Sequence, residues 1–224
     1  MAQVKKFKRE ALGHVCAHLE RSVEPGHYGN KNIDQARLAE DCVNLAPTRE
    51  GGQIAYIKQQ TNAVMGFRTL RKDAVRMCCW VVTLPVNIPK EKEPIFFQAA
   101  YDFLVDRYGS KSGMGEDCVI SAYIHQSEST PHLHFAFLPV IKRNGSQTIC
   151  AKEVVNRADL STFHRDLAEY MDEKDICQKS DILNGNTKRD ETGRALSVKQ
   201  LKRSEDDRWT RSRSNDRERE RGRW

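Results

Sequence analysis

The sequence has no apolar run long enough to cross a membrane and no recognisable leader for secretion. Its first eight residues include three lysines and lack the apolar core and small-residue cleavage site of a signal peptide. We therefore expect a cytoplasmic protein. The hydrophobic fraction of 38% in 224 residues is enough for one core of ordinary size with polar extensions.

The cysteines lack the spacings that signal zinc fingers or a disulfide framework. None of the seven forms a Cys-x-x-Cys pair, and an odd number cannot pair completely. We expect free thiols in a reducing compartment, several of them within apolar strands.

An acidic excess and internal repeats are also absent. The net charge is +6 and the pI about 8.9, which favours a polyanionic partner without identifying one. From Ser204 onward, arginines alternate with acids in low-complexity sequence that cannot fold alone. We expect a main domain over residues 1–175, an extension of it over 176–203, and a charged segment over 204–224. That segment is a tail, a linker or the start of a charged helix.

Strands and helices alternate along the chain. The patterns predict strands at 12–19, 75–84, 118–125 and 132–141, and helices at 54–64, 91–108 and 159–171. The glycine-rich and serine-rich residues 109–115 are predicted to form a flexible loop. A tight connection at 126–131 makes the strands around it an antiparallel hairpin. The expected fold class is α/β (α+β), a two-layer sandwich with a central antiparallel sheet flanked by helices.

Three predicted elements should supply the core. The β-branched and aromatic run at 75–84 is typical of a strand inside a sheet. The two longer helices should turn one apolar face inward. These faces consist of Phe96, Phe97, Ala100, Phe103, Leu104 and Tyr108 on the first, and of Leu160, Phe163, Leu167 and Met171 on the second.

Three of the seven histidines, His125, His132 and His134, fall within ten residues around the predicted hairpin. Side chains alternate along a strand, so His132 and His134 should project one way and Leu133 the other, into the core. His125 lies across the hairpin within reach of the same point. Three neutral imidazoles on one face predict a divalent transition-ion site. Its remaining coordination positions would be open to a phosphate oxygen and water, as in catalytic sites.

Glu128 lies in the hairpin turn, three residues after His125. From there a carboxylate can orient a ligand, contact the metal or accept a proton. The sequence alone leaves these three roles open.

A polarised phosphate also needs a nucleophile, and four upstream residues qualify. They are His14, His18, His27 and Tyr28. A neutral imidazole can form a covalent phosphoryl intermediate. Spacing does not choose among the four. Arg21, a fork-shaped donor, is suited to phosphate.

The segment His125-Gln-Ser-Glu-Ser-Thr-Pro-His-Leu-His134 resembles the metal motif of the MobV relaxases, the Mob/Pre plasmid mobilisation and recombination proteins. That motif reads His-x-Asp-Glu-x-Thr-Pro-His-x-His. Three further stretches are similar to family segments in the same order. They are His18-Leu-Glu-Arg21 with Asn30-Lys-Asn-Ile-Asp34, Arg71-Lys-Asp-Ala-Val75, and Leu183-Asn-Gly185 with Ser197-Val-Lys-Gln-Leu201. The resemblance covers about residues 8–202.

The resemblance implies the HUH endonuclease fold, with the metal site at the centre of an antiparallel sheet. It implies a bacterial relaxase that nicks one DNA strand at an origin of transfer, remains linked to the 5′ phosphate and releases a 3′ hydroxyl. Mn²⁺ or Mg²⁺ would be the ion, held by His125, His132 and His134. The position that matches the family's nucleophile is His18, with Glu128 placing or deprotonating it. The implied partners are single-stranded DNA, an origin hairpin and conjugative coupling machinery.

The same motifs predict the DNA contacts, and they also contain departures. The predicted contacts are Arg21, Asn30, Lys31, Arg71 and Lys72, whose binding should weaken with salt. Ser127 stands where the family has Asp, which leaves the role of Glu128 open. Asn44-Leu45 replaces a family Asn-Tyr pair, which favours a histidine nucleophile, with His14 and Tyr28 as the alternatives.

Other functions fit some of the same residues. A replication initiator or transposase of the HUH superfamily would use a related site, although the Arg71 block and the upstream position of His18 favour a relaxase. A non-catalytic DNA-binding protein with a structural metal would bind DNA without cutting it. A zinc hydrolase for small molecules would not bind DNA, and the positive net charge of the chain argues against this function.

Overall fold

A computed structural model of the protein describes residues 2–22, 33–34, 43–128 and 130–183. Its centre is a five-stranded sheet in the order β1-β3-β5-β4-β2, with every neighbouring pair antiparallel. The strands are β1 (Ala2–Lys8), β2 (Val43–Asn44), β3 (Val75–Thr83), β4 (Val119–His125) and β5 (His132–Phe137). A separate hairpin pairs β6 (Val140–Arg143) with β7 (Ser146–Ile149). The predicted antiparallel sheet is confirmed.

Helices flank this sheet on both of its faces. They are α1 (Leu12–Leu19), α2 (Gly52–Met65), α3 (Glu93–Ser112), α4 (Ala151–Val154), α5 (Arg157–Glu173) and α6 (Lys179–Leu183). Helices α1 and α2 pack on one face, and α3, α5 and α6 pack on the other. The helices predicted at 54–64 and 91–108 are confirmed as α2 and α3. Within the described ranges, no helix is long and apolar enough to form a membrane span.

Strand β3 runs through the interior of the sheet, between β1 and β5, as its composition predicts. Its side chains alternate between two buried layers. Cys78 and Trp80 join the core under α3 and α5, while Met77 and Cys79 join the core under α1 and α2. Both faces of this strand are therefore buried, and close packing on both sides makes β3 a rigid part of the sheet.

The predicted β4–β5 hairpin is confirmed, but its second strand is shorter than expected. Strand β5 ends at Phe137 instead of continuing to 141, because Pro139 has no N–H to extend the ladder. The chain resumes as β6 and turns back at Asn144 and Gly145, whose φ angles are 46° and 78°. Positive φ at both positions is the signature of a two-residue hairpin turn.

The strand predicted at 12–19 is wrong, since these residues form α1. Its buried positions are Leu12, Cys16 and Leu19, four and three residues apart, which is the helical period. His14 and His18 are also four residues apart, so they lie on one side of the helix. The helix is only two turns long and contains Gly13, which conceals its period in the sequence.

The flexible loop predicted at 109–115 is wrong for its first half, because α3 continues to Ser112. Gly109 lets the segment after the helix pack closely against it. A Cβ at that position would lie 2.7 Å from the carbonyl oxygen of Gly115, closer than real Cβ atoms approach backbone. Gly113, with φ of 67°, then ends the helix in the left-handed conformation.

One inward position of α5 was also mispredicted. Leu160 is 43% exposed, and Asp159 is buried in its place. The side chain of Asn156 accepts a hydrogen bond from the Asp159 amide, which fixes Asp159 in the first turn. The helix therefore turns a carboxylate towards α3.

The Asp159 carboxylate anchors a polar network between three elements. It accepts hydrogen bonds from Arg107 Nε at 2.9 Å and Tyr108 Oη at 2.9 Å, and it pairs with Lys111. Trp80 Nε1 donates to Tyr108 Oη at 2.7 Å, which extends the network to β3. The network fixes the helices that back the sheet.

Replacing Asp159 with alanine should lower the free energy of unfolding by about 3–5 kcal/mol, because Arg107 and Lys111 would lose the buried partner of their charges. Urea denaturation followed by circular dichroism measures this. Asp166→Asn is the control, since the Asp166 side chain is 29% exposed and should contribute about 1 kcal/mol or less. Equal losses in both variants would contradict the central role of Asp159.

Candidate metal centre and nucleophile

Three histidines converge on the sheet face that α1 and α2 cover. His125 on β4 pairs directly with His132 on β5, and His134 follows two residues later on the same side. The ring centroids are 5.4 Å apart for His125 and His132, 4.5 Å for His125 and His134, and 4.7 Å for His132 and His134. Leu133 faces the opposite core and is fully buried. The predicted alternation of side chains is confirmed.

The two ring nitrogens of His125 have different surroundings. Nε2 lies 3.0 Å from the carbonyl oxygen of Leu19, so Nε2 carries the proton and donates it. Nδ1 is buried and has no hydrogen-bond partner in the described part of the chain. An unpaired buried acceptor costs about 1–3 kcal/mol. A metal ion is a partner that this lone pair fits.

The other two histidines are held by their Nδ1 atoms. Nδ1 of His132 lies 2.9 Å from the carbonyl oxygen of Thr130, and Nδ1 of His134 lies 3.9 Å from Cys79 Sγ. The Nδ1–H of His132 donates to that carbonyl, so Nε2 of His132 carries a lone pair, and it lies 3.0 Å from Nε2 of His134. Nε2 of His134 can donate a hydrogen bond to that lone pair or, when its proton is on Nδ1, offer a second lone pair to a cation. The donor set fits a divalent transition ion.

Burial keeps the imidazoles of His125, His134 and His18 neutral. Burial lowers the pKa of His125 to about 3, although the hydrogen bond to the Leu19 carbonyl acts in the opposite direction. Burial also lowers the pKa of His134 well below 6.5. Burial also lowers the pKa of His18, helped by the nearby Arg21 guanidinium. The neutral form is the one in which an imidazole can bind a metal or act as a nucleophile.

His18 lies in the last turn of α1, next to the three histidines. Its ring centroid is 5.4 Å from that of His125 and 5.5 Å from that of His134. One ring nitrogen from each of these three residues lies within 4.8 Å of the others. His14, one turn earlier, is exposed. Of the two histidines on α1, His18 is the one beside the cluster.

Glu128 is tied to Arg21 by an ion pair. Arg21 Nη2 lies 2.8 Å from Glu128 Oε1, and the Arg21 side chain is only 2% exposed. Burial would raise the pKa of Glu128, but the hydrogen bond and the positive charge of Arg21 outweigh it and lower this pKa. The carboxylate is therefore ionised. One of its oxygens lies within 4.8 Å of ring nitrogens of His125 and His132.

Arg21 has an unusual backbone conformation. Its φ is 53°, in the left-handed region that residues other than glycine rarely adopt. Its amide donates to the carbonyl oxygen of His18 at 3.3 Å, directly after α1 ends. Strained backbone of this kind persists where the surroundings fix it, often at functional sites.

Two predicted DNA contacts lie far from the cluster. Arg71 and Lys72 are exposed and precede β3, and Arg71 pairs with Asp73 at 2.9 Å. Val81 pairs with His134, and the seven residues from Val75 to Val81 span about 20 Å of strand. The structure does not bring these cations to the histidines, and their contact with DNA stays a prediction.

Several predicted residues lie outside the described ranges. These are Asn30 and Lys31, together with His27 and Tyr28, the alternatives for the nucleophile, and the charged segment from Ser204. The end of the Asn30–Asp34 block is described. The Asp34 amide donates to the carbonyl oxygen of Ser127 at 2.7 Å, which brings the block to the hairpin turn. Ser127, found where the family has Asp, is buried.

A cavity of about 260 Å³ adjoins His18 and His134, and sequence reasoning missed it. Its walls include Lys5 and Phe7 of β1, a strand that was not predicted because lysines interrupt its apolar alternation. The Leu19 carbonyl and the Cys79 thiol were also missed. No local pattern marks a backbone carbonyl or a thiol as the partner of a distant histidine.

Comparison with known proteins adds independent findings. The family model of plasmid recombination enzymes, Mob_Pre, matches residues 1–194. A plasmid recombination enzyme from Streptococcus agalactiae is 28% identical over 213 residues, which is 90% of this chain and 40% of that protein. One from Lactiplantibacillus plantarum is 25% identical over 209 residues, 90% of this chain and 52% of that protein. The chain thus spans about half the length of these relatives.

Solved structures of a MobM relaxase domain (MOBV; Mob_Pre) bound to plasmid pMV158 oriT DNA are also similar. The Mn-bound form at pH 6.8 is 27% identical, with a TM-score of 0.72, over 91% of this chain and 97% of that chain. The Mn-bound form at pH 4.6 is 26% identical, with a TM-score of 0.68, over 91% and 98%.

The metal-free protein should lose stability as the pH falls below about 6.5. Unfolded histidines titrate near 6.5, but folded His125 titrates at about 3, so the unfolded chain binds more protons between these values. The stabilisation is complete above pH 6.5 and declines by up to about 1.4 kcal/mol per pH unit for each such histidine. Urea denaturation in EDTA at several pH values measures it.

His125→Asn should flatten this pH dependence. The control is His14→Asn, which removes an exposed histidine and should leave the slope unchanged. A slope that is the same in His125→Asn and in the unmodified protein would contradict a neutral, buried His125.

Proposed function

This chain belongs to the Mob_Pre family of plasmid recombination enzymes, and we propose that it is a DNA relaxase. It nicks one strand of a plasmid or mobilisable element at the origin of transfer and remains covalently linked to the 5′ phosphate. The observation that carries the proposal is the distance of 5.4–5.5 Å between the ring of His18 and the rings of His125 and His134. The Mn and oriT DNA bound to the similar relaxase domain support it.

The metal ligands in this proposal are Nδ1 of His125 and Nε2 of His132 and His134. The orphaned Nδ1 atom and the 3.0 Å gap between the two Nε2 atoms support this set. The ion is Mn²⁺ or Mg²⁺, and a set of imidazole nitrogens favours Mn²⁺, because Mg²⁺ prefers oxygen ligands. When bound, such an ion polarises a phosphate and offsets the charge that develops on it.

His18 is the proposed nucleophile. A ring nitrogen of the neutral imidazole attacks the scissile phosphorus in line, so a P–N bond forms as the bond to the 3′ oxygen breaks. The imidazole gives up its N–H proton, and the departing 3′ oxygen gains one. The products are a phosphoramidate between His18 and the 5′ phosphate, and a free 3′ hydroxyl.

Glu128 and Arg21 support this step as a pair. Arg21 lies directly after α1, the helix that carries His18, and the ionised Glu128 holds its guanidinium at 2.8 Å. The planar fork of the Arg21 guanidinium is suited to binding the non-bridging phosphate oxygens. Glu128 helps to place the nucleophile or to accept its proton.

The DNA substrate is single-stranded, or an origin hairpin with a single-stranded flank. The conjugative coupling machinery would be the partner that receives the nicked strand. A replication initiator or transposase with the same site would cut a different sequence. Mapping the nick to an origin of transfer or to a replication origin separates these functions.

A second candidate function is a metal-stabilised DNA-binding protein without catalysis. One observation favours it, since a ring nitrogen of His18 lies within 4.8 Å of ligand atoms of His125 and His134. Four imidazoles around one ion would close the site, as in structural centres. The two functions differ in what His18 does.

His18→Ala should abolish the covalent adduct between the protein and origin-containing single-stranded DNA in the presence of Mn²⁺. Denaturing electrophoresis detects the adduct, and a phosphoramidate should be labile to acid and stable to alkali. His14→Ala, an exposed histidine on the same helix, is the control and should form the adduct. An adduct that survives His18→Ala would rule out His18 as the nucleophile.

Mn²⁺ binding, measured by calorimetry, distinguishes the two candidate functions. His132→Ala should weaken binding at least about tenfold to a hundredfold, because it removes a ligand. His18→Ala should change it only a few-fold if His18 is the nucleophile. A loss in His18→Ala as large as in His132→Ala, together with absence of nicking in the unmodified protein, would favour the structural centre.

A further inference from the structure

A groove between α1 and α2 has the composition of an anion site. Its volume is about 370 Å³, and its lining includes Arg9, Lys58 and Arg76 but no acidic residue. Within the described part of the chain, none of these three cations forms an ion pair. The groove floor is apolar, with Leu12 and Ile57 buried. Three unpaired cations around one concave surface attract a polyanion.

The direction of Arg76 results from a β-bulge. Lys8 pairs with Val75 and Phe7 pairs with Met77, so Arg76 is an extra residue on β3 with no partner on β1. Simple alternation would place Arg76 on the same face as Cys78, under α3 and α5. The bulge instead lets its side chain line the groove on the α1–α2 face. Bulges commonly redirect a side chain near functional sites.

Two polar atoms at the groove lack partners. Thr61 is 4% exposed, and its Oγ1 has no hydrogen bond to any described residue. A helical threonine usually donates to the carbonyl four residues earlier. Arg76 Nε is likewise buried without a hydrogen bond in the described ranges. Because orphaned buried donors are costly, a ligand with oxygen acceptors is the partner these atoms require.

We propose that this groove is a second phosphate-binding site, which holds a backbone phosphate of the DNA away from the phosphate that is cleaved. The proposal rests on the proposed function. The phosphate oxygens would accept hydrogen bonds from Thr61 Oγ1 and Arg76, with Arg9 and Lys58 closing over them. A phosphate contact of this kind positions a strand without reading its sequence.

Neighbouring residues of α1 line the groove and the cavity beside the histidine cluster. The groove is lined by Leu12 and Gly13, and the cavity beside the cluster is lined by His14 and His18. The surface at Gly13 is open, since a Cβ there would meet nothing within 4 Å. The six residues from Arg76 to Val81 span about 17 Å. The bound phosphate therefore lies several nucleotides from the nick.

Single-stranded DNA binding by the full chain in EDTA, without cleavage, tests the site. The probe is a fluorescent oligonucleotide, and anisotropy gives the affinity at several salt concentrations. Lys58→Gln and Arg76→Gln should each weaken binding about tenfold and reduce the slope of log affinity against log salt by about 0.7. Lys152→Gln is the control, since Lys152 is an exposed lysine on α4 outside the groove, and should change neither.

Thr61→Val separates a ligand site from a structural one. Valine has nearly the same shape and removes an unpaired hydroxyl, so the thermal unfolding midpoint should stay the same or rise. DNA binding should nevertheless weaken about threefold to tenfold. A variant that lowers stability and leaves DNA binding unchanged would overturn the site.

Two further measurements define the ligand. Once the nick is mapped, neutral methylphosphonate linkages can be placed one at a time. At one position, several nucleotides from the nick, the neutral linkage should weaken binding to the unmodified protein but not to Arg76→Gln. Inorganic phosphate, titrated by calorimetry, should bind far more weakly than the oligonucleotide. Equal affinity would assign the groove to free phosphate and overturn the DNA site.

Failure of this proposal is distinguishable from failure of the proposed function. If the protein nicks DNA and both charge variants bind like the unmodified chain, the groove proposal is wrong and the relaxase proposal stands. If the unmodified protein binds no DNA at all, both are wrong.

Discussion

The hydrogen bond from Nε2 of His125 to the carbonyl oxygen of Leu19 is the constraint on which the candidate site depends. It fixes the His125 tautomer and leaves Nδ1 as a buried lone pair without a hydrogen-bond partner among the described residues. It also fastens the end of α1 to β4. His18 precedes Leu19 and Arg21 follows it by two residues, so the same bond brings the proposed nucleophile and this cation to the histidines.

The two faces of the sheet differ in what they carry. The side under α3 and α5 is a continuous core, closed by the Trp80–Tyr108–Asp159 network and by the stacking of Trp80 on Phe163 at 3.6 Å. The side under α1 and α2 has a smaller core and carries the three histidines of the candidate site. Strand β5 supplies both, with Leu133 and Phe135 facing the core and His132 and His134 facing the site. The core under α3 and α5 therefore gives the histidine site a rigid base.

Much of the site could be predicted because it is local in sequence. The alternation of His132 and His134 and the hairpin with His125 follow from strand parity alone. The helix α1 could not be predicted as easily, because two turns give few periods to count, and its misassignment left His14 and His18 without a face. The motif resemblance, rather than periodicity, pointed to His18.

Other features depend on distant residues or on irregular backbone. The Arg21–Glu128 pair joins positions 107 residues apart, and no pattern in either segment marks it. The bulge at Arg76 breaks the alternation from which a side chain's face is normally inferred. Asp159 is buried because α3 supplies partners for its charge, which a hydrophobic pattern on α5 cannot indicate. Electrostatic pairing and backbone irregularity therefore limited the sequence prediction.

The central claim is that His125 offers Nδ1, and the other two histidines Nε2, to one ion. Anomalous diffraction from crystals soaked in Mn²⁺ tests it most directly. We expect a single peak bonded to these three nitrogens, with the Nε2–Leu19 hydrogen bond intact. A peak bonded to Nε2 of His125 with that hydrogen bond broken, or a peak away from the three histidines, would contradict the account.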